Sequence, residues 1–174
     1  GIVFGFGIEA ISGMGGSQSL AVFLSELFYR CVLWLSGNQR EGILTTSDRY
    51  LLTDYLERGN RVVLSGQDII DELSGGPFAQ TVLEMEVSMD SFRMGSVRPT
   101  PGSPLVPENW YMIVGSAGAT NQYRPSVLSP LGDNATICAY GMDADYGTAG
   151  LDFCDGQGIV FGFGIEAISG MGGS

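Results

Sequence analysis

Short apolar runs alternate with amphipathic stretches along this chain. Residues 31–35 and 61–64 are nearly continuous apolar runs, which are typical of strands buried on both faces of a parallel sheet. Between them, apolar residues at helical spacing follow the candidate N-cap Thr45 and end at Gly59. This alternation predicts an α/β domain in which helices flank a mostly parallel sheet.

Further segments extend the same pattern. The chain is expected to add strands at residues 2–6, 135–140, 148–154 and 159–163, and helices at residues 19–28, 69–73 and from Pro77 onward. The two strands at 135–140 and 148–154 enclose a turn of Asp and Gly residues, which predicts a β-hairpin added to the sheet. Residues 88–107 are rich in Pro, Gly and Ser and are expected to form an irregular insertion that contains one strand at most.

The two ends of the chain carry the same sequence. Residues 1–17 and 158–174 both read GIVFGFGIEAISGMGGS. The chain is therefore expected to be one α/β domain, 1–174, in circularly permuted or truncated order. The duplication has three explanations: a fragment of a tandem array, a permuted domain with an overlap, or overlapping ends of assembled nucleotide sequence. We expect residues 1–28 to hold the central strand position because they add a helix, which leaves residues 158–174 at an edge where they could support self-association.

Charge and composition exclude several functions. The 174 residues include eight Arg, no Lys, no His and 19 acidic residues, for a net charge of −11. Such a surface repels phosphate, so nucleic acid and anionic membranes are not expected partners. The absence of His removes the commonest general base and metal ligand, and no cofactor is expected. No apolar stretch is long enough to span a membrane, and no basic signal peptide is visible.

Cysteine and tryptophan residues carry weaker expectations. Cys31 lies in an apolar run and is expected to be buried. Cys138 and Cys154 lie on neighbouring predicted strands, so they could form a disulfide or remain free thiols. Trp34 is expected in the core, whereas Trp110 is a candidate surface platform for a sugar ring.

Four segments together resemble a known family. They are CVLWLSG, LLTDYLERGNRVVLSGQDI, NQYRPSVLSPL and IVFGFGIEAI. The combination resembles the class I glutamine amidotransferase-like accessory domain of secreted bacterial proteins, which often stands beside peptidase domains. The resemblance covers most of residues 29–168. It implies a flavodoxin-like fold and a secreted location, although the opening strand, acidic loop and helix of the family are missing here.

Amidotransferases of the wider superfamily use a Cys on a strand-to-helix turn, with a His and a Glu after a later strand. The turn at residues 65–68 resembles the nucleophile turn but holds no Cys, and Gly164 stands where the His is expected. Glu166 matches the Glu. Without a thiolate and a base there is no covalent acyl transfer. The resemblance therefore implies a non-catalytic structural or interaction module that contacts other domains of its parent protein or protein partners.

The candidate site lies at the carboxyl ends of the predicted strands, where parallel sheets usually bind ligands. Its residues are Ser65, Gly66, Gln67, Asp68, Gly164 and Glu166. In an alternative hypothesis, Asp68 and Glu166 serve a hydrolase or a metal-dependent enzyme. The simpler interpretation is that Asp68 caps the following helix and Glu166 accepts backbone hydrogen bonds. A second alternative is a calcium- or carbohydrate-binding module that uses Asp143 and Asp145, although a hairpin turn also explains that pair.

Overall fold

The computed structural model describes residues 31–37, 39–90, 93–103, 109–114 and 122–172. Among these residues, ten strands form one mixed sheet, and the helices are few and short. The strands are β1 (Cys31–Leu35), β2 (Arg61–Ser65), β3 (Met85–Met89), β4 (Ser96–Pro99), β5 (Trp110–Met112), β6 (Val127–Pro130), β7 (Thr136–Tyr140), β8 (Thr148–Phe153), β9 (Gly158–Phe161) and β10 (Gly170–Gly172). The helices are α1 (Thr46–Glu57), α2 (Ile69–Leu73) and α3 (Pro77–Thr81), with a 3-10 turn at Ile165–Ala167.

The sheet combines a small parallel part with a larger antiparallel part. Its order is β1-β2-β9-β8-β7-β4-β5-β10, and β3 joins through β6, which pairs with β8. Strand β2 is parallel to both β1 and β9, while the remaining pairings in the described chain are antiparallel. The predicted hairpin between β7 and β8 is present.

The predicted fold class is wrong. A mostly parallel, flavodoxin-like or amidotransferase-like sheet flanked by helices was expected, but the sheet is a curled, mixed half-barrel with little helix. Two segments account for the difference. Residues 85–130 supply the four strands β3 to β6, whereas an irregular insertion with at most one strand was expected at residues 88–107. Strand β9 follows β8 through a tight turn, and such a connection favours antiparallel pairing because parallel strands need a long crossover.

Helix α1 provides the crossover that the parallel pair β1–β2 requires. Thr45 and Asp48 form a capping box that satisfies backbone N–H groups at the start of the helix. Leu52, Tyr55 and Leu56 are buried and join the core on one face of the sheet. This part of the structure follows the amphipathic pattern of the sequence.

A second core lies within the curl of the sheet, where aromatic side chains meet. The rings of Phe161 and Phe163 have centroids 5.3 Å apart, and those of Tyr140 and Phe163 are 6.3 Å apart, both in edge-on geometry. Val97 and Ile113 pack in the same cluster. This core joins the end of β9 to the antiparallel strands.

Strand β1 is not buried on both faces, contrary to the prediction. It lies at the end of the described sheet, and Leu33 and Leu35 are 54% and 47% exposed. Cys31 is exposed rather than buried, and Trp34 is half-buried against the first core. The apolar run therefore forms a strand with only one covered face among the described residues.

The remaining two cysteines are not bridged to each other, and Trp110 lies in a strand. Cys138 is buried, Cys154 is half-buried, and both are free thiols, so the structure contains no bridge between them. Trp110 begins the strand β5 and is half-buried, so it does not stand on an open loop.

The prediction that residues 158–174 lie at an edge of the sheet is also wrong. Strand β9, from the C-terminal copy, lies between β2 and β8 inside the sheet and not at an edge. The N-terminal copy and the helix predicted at residues 19–28 lie outside the described residues. The turn between β8 and β9, closed by the bond from Gln157 N to Cys154 O, explains the outcome because it delivers β9 to its neighbour at small entropic cost.

Candidate functional site

Three chain segments meet at the carboxyl end of β2, and we call them the strand-end cluster: residues 65–68, 122–126 and 162–166. Ser65, the last residue of β2, is fully buried. Its hydroxyl donates to the carbonyl of Phe163 and accepts from the backbone N–H of Ile165, both at 2.9 Å. This one hydroxyl therefore joins β2 to the turn that follows β9.

Gly66 lets the turn approach the end of β1. A Cβ atom at this position would collide with Ser36 Oγ. The backbone N–H of Ser36 donates to the carbonyl of Ser65 at 3.0 Å, which holds the two strand ends together. The glycine is thus explained by close packing of two strand ends.

Gln67 holds the second segment of the cluster. Its side-chain oxygen accepts from the backbone N–H groups of Tyr123 and Arg124, both at 2.7 Å. The hydroxyl of Ser126 donates to the Gln67 carbonyl at 3.2 Å. Gln67 is only 3% exposed. Its side-chain oxygen accepts from these two backbone N–H groups as a carbonyl of a neighbouring strand would.

Asp68 forms an ion pair with Arg124. The carboxylate side chain is 4% exposed and the guanidinium 37% exposed. A carboxylate this deeply buried needs such a partner because burying an isolated charge costs several kcal/mol. Asp68 immediately precedes α2, as the capping hypothesis required, and its carboxylate pairs with Arg124.

Glu166 and Gly164 complete the cluster from the other side. The backbone N–H of Gly164 donates to Gln122 Oε1 at 2.8 Å, and Glu166 is half-buried in the 3-10 turn. A Cβ atom at Gly164 would collide with the Glu166 carboxylate and approach the Gln122 amide. A histidine at position 164 could not enter this space without displacing Glu166.

Tyr140 contacts the middle segment of the cluster, residues 122–126, through a hydrogen bond. Its buried hydroxyl donates to the carbonyl of Ser126 at 3.0 Å, and Ser126 in turn donates its backbone N–H to Gly162 at 2.7 Å. Burial raises the pKa of the Tyr140 phenol well above its usual range, and nearby Cys138 adds to this shift. The phenol therefore stays a neutral donor.

The cluster thus brings the predicted residues together, and their side chains link segments that are far apart in the sequence. The described polar atoms of Ser65, Gln67 and Asp68 bond to segments some 56 to 100 residues away. Sequence reasoning missed Gln122, Arg124 and Ser126, which supply the other half of the network. The available signal was that Arg124 is one of only eight cations in an acidic chain, within a polar run before an apolar strand.

The acidic turn between β7 and β8 has a different character. Asp143 and Asp145 are exposed, and Asp143 lies 3.8 Å from Arg98 in a loose ion pair. Tyr140 and Gly147 close the hairpin through a backbone bond of 2.8 Å. Within the described ranges, no group of three or more His, Cys, Asp or Glu residues could hold a metal ion. The geometry is that of a hairpin turn.

A groove of about 480 Å³ opens beside the turn that precedes β9. Its lining includes the carboxylates of Glu84, Asp133, Asp152 and Asp155. The Asp152 carboxylate accepts the backbone N–H of Ala135 at 2.6 Å, so it also holds the chain in place. The groove lies at the start of β9, whereas the strand-end cluster lies at its end.

Comparison with known proteins adds no relative. No family model, no curated protein and no solved structure matches the chain. A membrane-crossing helix is likewise absent from the described ranges.

Proposed function

We propose that this chain is a non-catalytic structural and interaction module of a larger secreted bacterial protein. The observation that supports it most strongly is the strand-end cluster. Ser65, Gln67 and Asp68 belong to the candidate site predicted at the strand ends, and each is buried and bonded to a distant segment. Groups held in this way stabilise the fold and are not directed at a substrate.

The available nucleophiles support the same proposal. The Ser65 hydroxyl is fully buried between two backbone partners, and the chain has no His or Lys to act as its base. A reactive cysteine requires a lowered pKa, but burial raises the pKa of Cys138, and the partial desolvation of the Cys31 and Cys154 thiols raises theirs. At neutral pH these thiols are protonated and weakly nucleophilic.

The proposed setting rests on the family resemblance and on charge. Accessory domains of the family that the motifs resemble occur in secreted proteins, beside other domains. The net charge of −11 disfavours nucleic acid and anionic membranes as partners. We therefore propose that the partners are other domains of the parent protein, or proteins with basic surfaces.

The proposal is tested by measuring activity and stability on the same variants. Gln67→Ala should lower the free energy of unfolding by about 1–2 kcal/mol because it removes the buried side-chain oxygen that accepts from the N–H groups of Tyr123 and Arg124. Gln80→Ala, on an exposed helical position, is the matched control and should change stability little. Wild-type protein should show no glutaminase or esterase turnover. Turnover that disappears in a folded Glu166→Ala variant would overturn the proposal.

A further inference from the structure

The position that the C-terminal copy fills in the sheet restricts which sequences can occupy it. Within residues 158–172, β9 pairs with β2 on one side and β8 on the other, and β10 then pairs with β5 across the curl. We call this position the segment slot. Val160, Phe163 and Ala167 are at most 1% exposed within it. The occupant must therefore supply apolar side chains at fixed positions over ten or more residues.

Three glycines in the slot have no room for a side chain. A Cβ atom would collide with the Phe153 ring at Gly158, with the Ser126 carbonyl at Gly162 and with the Glu166 carboxylate at Gly164. Two of these contacts involve backbone or a fully buried ring, which cannot move away cheaply. A segment that lacks glycine at the positions of Gly158 and Gly162 is excluded from the slot.

Residues 1–15 satisfy each of these requirements. They carry glycine at positions 1, 5 and 7, which correspond to Gly158, Gly162 and Gly164, and they repeat the buried apolar residues as Val3, Phe6 and Ala10. We propose that the segment slot is a binding site for this sequence and that residues 1–15 are its second ligand, exchanging with residues 158–172. This inference concerns a site other than the strand-end chemistry and does not depend on the absence of catalysis.

The connections decide which copy is bound in the intact chain. Residues 158–172 enter the slot directly after the tight turn from β8, so their local concentration is high. Residues 1–15 are tied to β1 through residues 16–30, a link that can extend to about 50 Å when fully stretched. The C-terminal copy should hold the slot, and the N-terminal copy should enter when the C-terminal copy is disabled. The same segment can come from its own chain or from a second copy.

The test uses three full-length variants. Gly162→Val disables the C-terminal copy, Gly5→Val disables the N-terminal copy, and the double variant disables both. We expect Gly5→Val to behave as wild type. In Gly162→Val, amides of residues 2–7 should exchange hydrogen at least about tenfold more slowly than in wild type, while those of residues 159–164 lose protection. The double variant should lose the protection of β2 and β8 as well. Gly170→Ala is the control. The added Cβ atom meets open space, so this variant should keep residues 158–172 in the slot.

The source of the segment is determined by the mass of folded Gly162→Val in solution. A monomer shows that the chain supplies its own segment, and a dimer or larger species shows that a second copy supplies it; either supports the proposal. A synthetic peptide of residues 1–17 should restore the protection of β2 in the double variant. The proposal is overturned if Gly162→Val is as unprotected as the double variant and if the peptide restores nothing.

Discussion

The strand-end cluster and the acidic turn between β7 and β8 were both candidate sites, and they differ in what their polar groups contact. In the cluster, Gln67 and Asp68 are buried and bond to residues 123 and 124, more than fifty positions away. In the turn, Asp143 and Asp145 are exposed, and the loose ion pair of Asp143 is with Arg98. The cluster joins distant parts of the fold through buried side chains, whereas the carboxylates of the turn remain in solvent.

This difference separates structural polar residues from solvated ones. A polar group that is buried and bonded over a long sequence distance is costly to remove because its partner is left buried without a bond. An exposed group at a turn is replaced by water at little cost. The two regions should therefore respond to substitution with effects of very different size.

The largest expected effect comes from Arg124. Arg124→Met removes the partner of the buried Asp68 carboxylate and should lower the free energy of unfolding by about 3 kcal/mol, near the lower end for a broken buried pair because Arg124 is partly exposed. Urea denaturation measures this change. The matched control is Arg58→Met in the exposed pair with Asp54, which should cost less than about 0.5 kcal/mol. Equal losses in the two variants would show that the buried ion pair contributes no more to stability than an exposed one.

Ser65→Ala should have the next largest effect. It leaves the Phe163 carbonyl and the Ile165 N–H without the Ser65 hydroxyl, so we expect the free energy of unfolding to fall by about 2 kcal/mol. Ser74→Ala, at an exposed position, is the control. A Ser65→Ala protein as stable as wild type would show that water replaces the hydroxyl and that this link is dispensable.

Tyr140, at the end of β7, should make the stability of the protein depend on alkaline pH. The pKa of buried Tyr140 is raised in the folded state, so its contribution to stability is complete below the unfolded pKa of about 10 and is lost as pH rises above it. Tyr140→Phe should cost about 1 kcal/mol at pH 7 and should flatten the stability loss above pH 10. Tyr146→Phe, at a position that is 53% exposed, should cost little stability at pH 7. An unchanged alkaline profile in Tyr140→Phe would contradict the assignment.

The smallest effect is expected in the acidic turn itself. Asp143→Asn should change stability by no more than about 0.5 kcal/mol because Asp143 is exposed and its distance to Arg98 is long. Millimolar calcium should not raise the melting temperature of wild type. A rise that Asp143→Asn abolishes would restore the calcium-binding hypothesis.

The sequence predicted individual elements better than their arrangement. The strands at 31–35 and 61–65, helix α1 and the β7–β8 hairpin form where their patterns indicated, since these signals are local. Burial of β1 could not be predicted from its apolar run, because exposure depends on the strand's position at the end of the sheet. The pairing of β9 was missed because the same apolar run suits either a parallel or an antiparallel neighbour.

The candidate site followed the same division. Residues 65–68 and 164–166 were placed at the strand ends from their positions after apolar runs, and the structure brings them together. Gln122 and Arg124 escaped notice because a rare cation in a polar run, the signal that Arg124 offers, does not indicate which residue more than forty positions away is its partner. Whether a polar turn is reactive or structural depends on these distant partners.

A double-mutant cycle on Asp68 and Arg124 tests most directly whether the strand-end cluster is structural. The unfolding free energies of wild type, Asp68→Asn, Arg124→Met and the double variant give the coupling between the two side chains. We predict a coupling of about 2 kcal/mol, well above that of the exposed Asp54–Arg58 pair measured in the same way. A coupling below about 0.5 kcal/mol, with Asp68→Asn as stable as wild type, would show that the carboxylate is not held by the fold and would contradict the account.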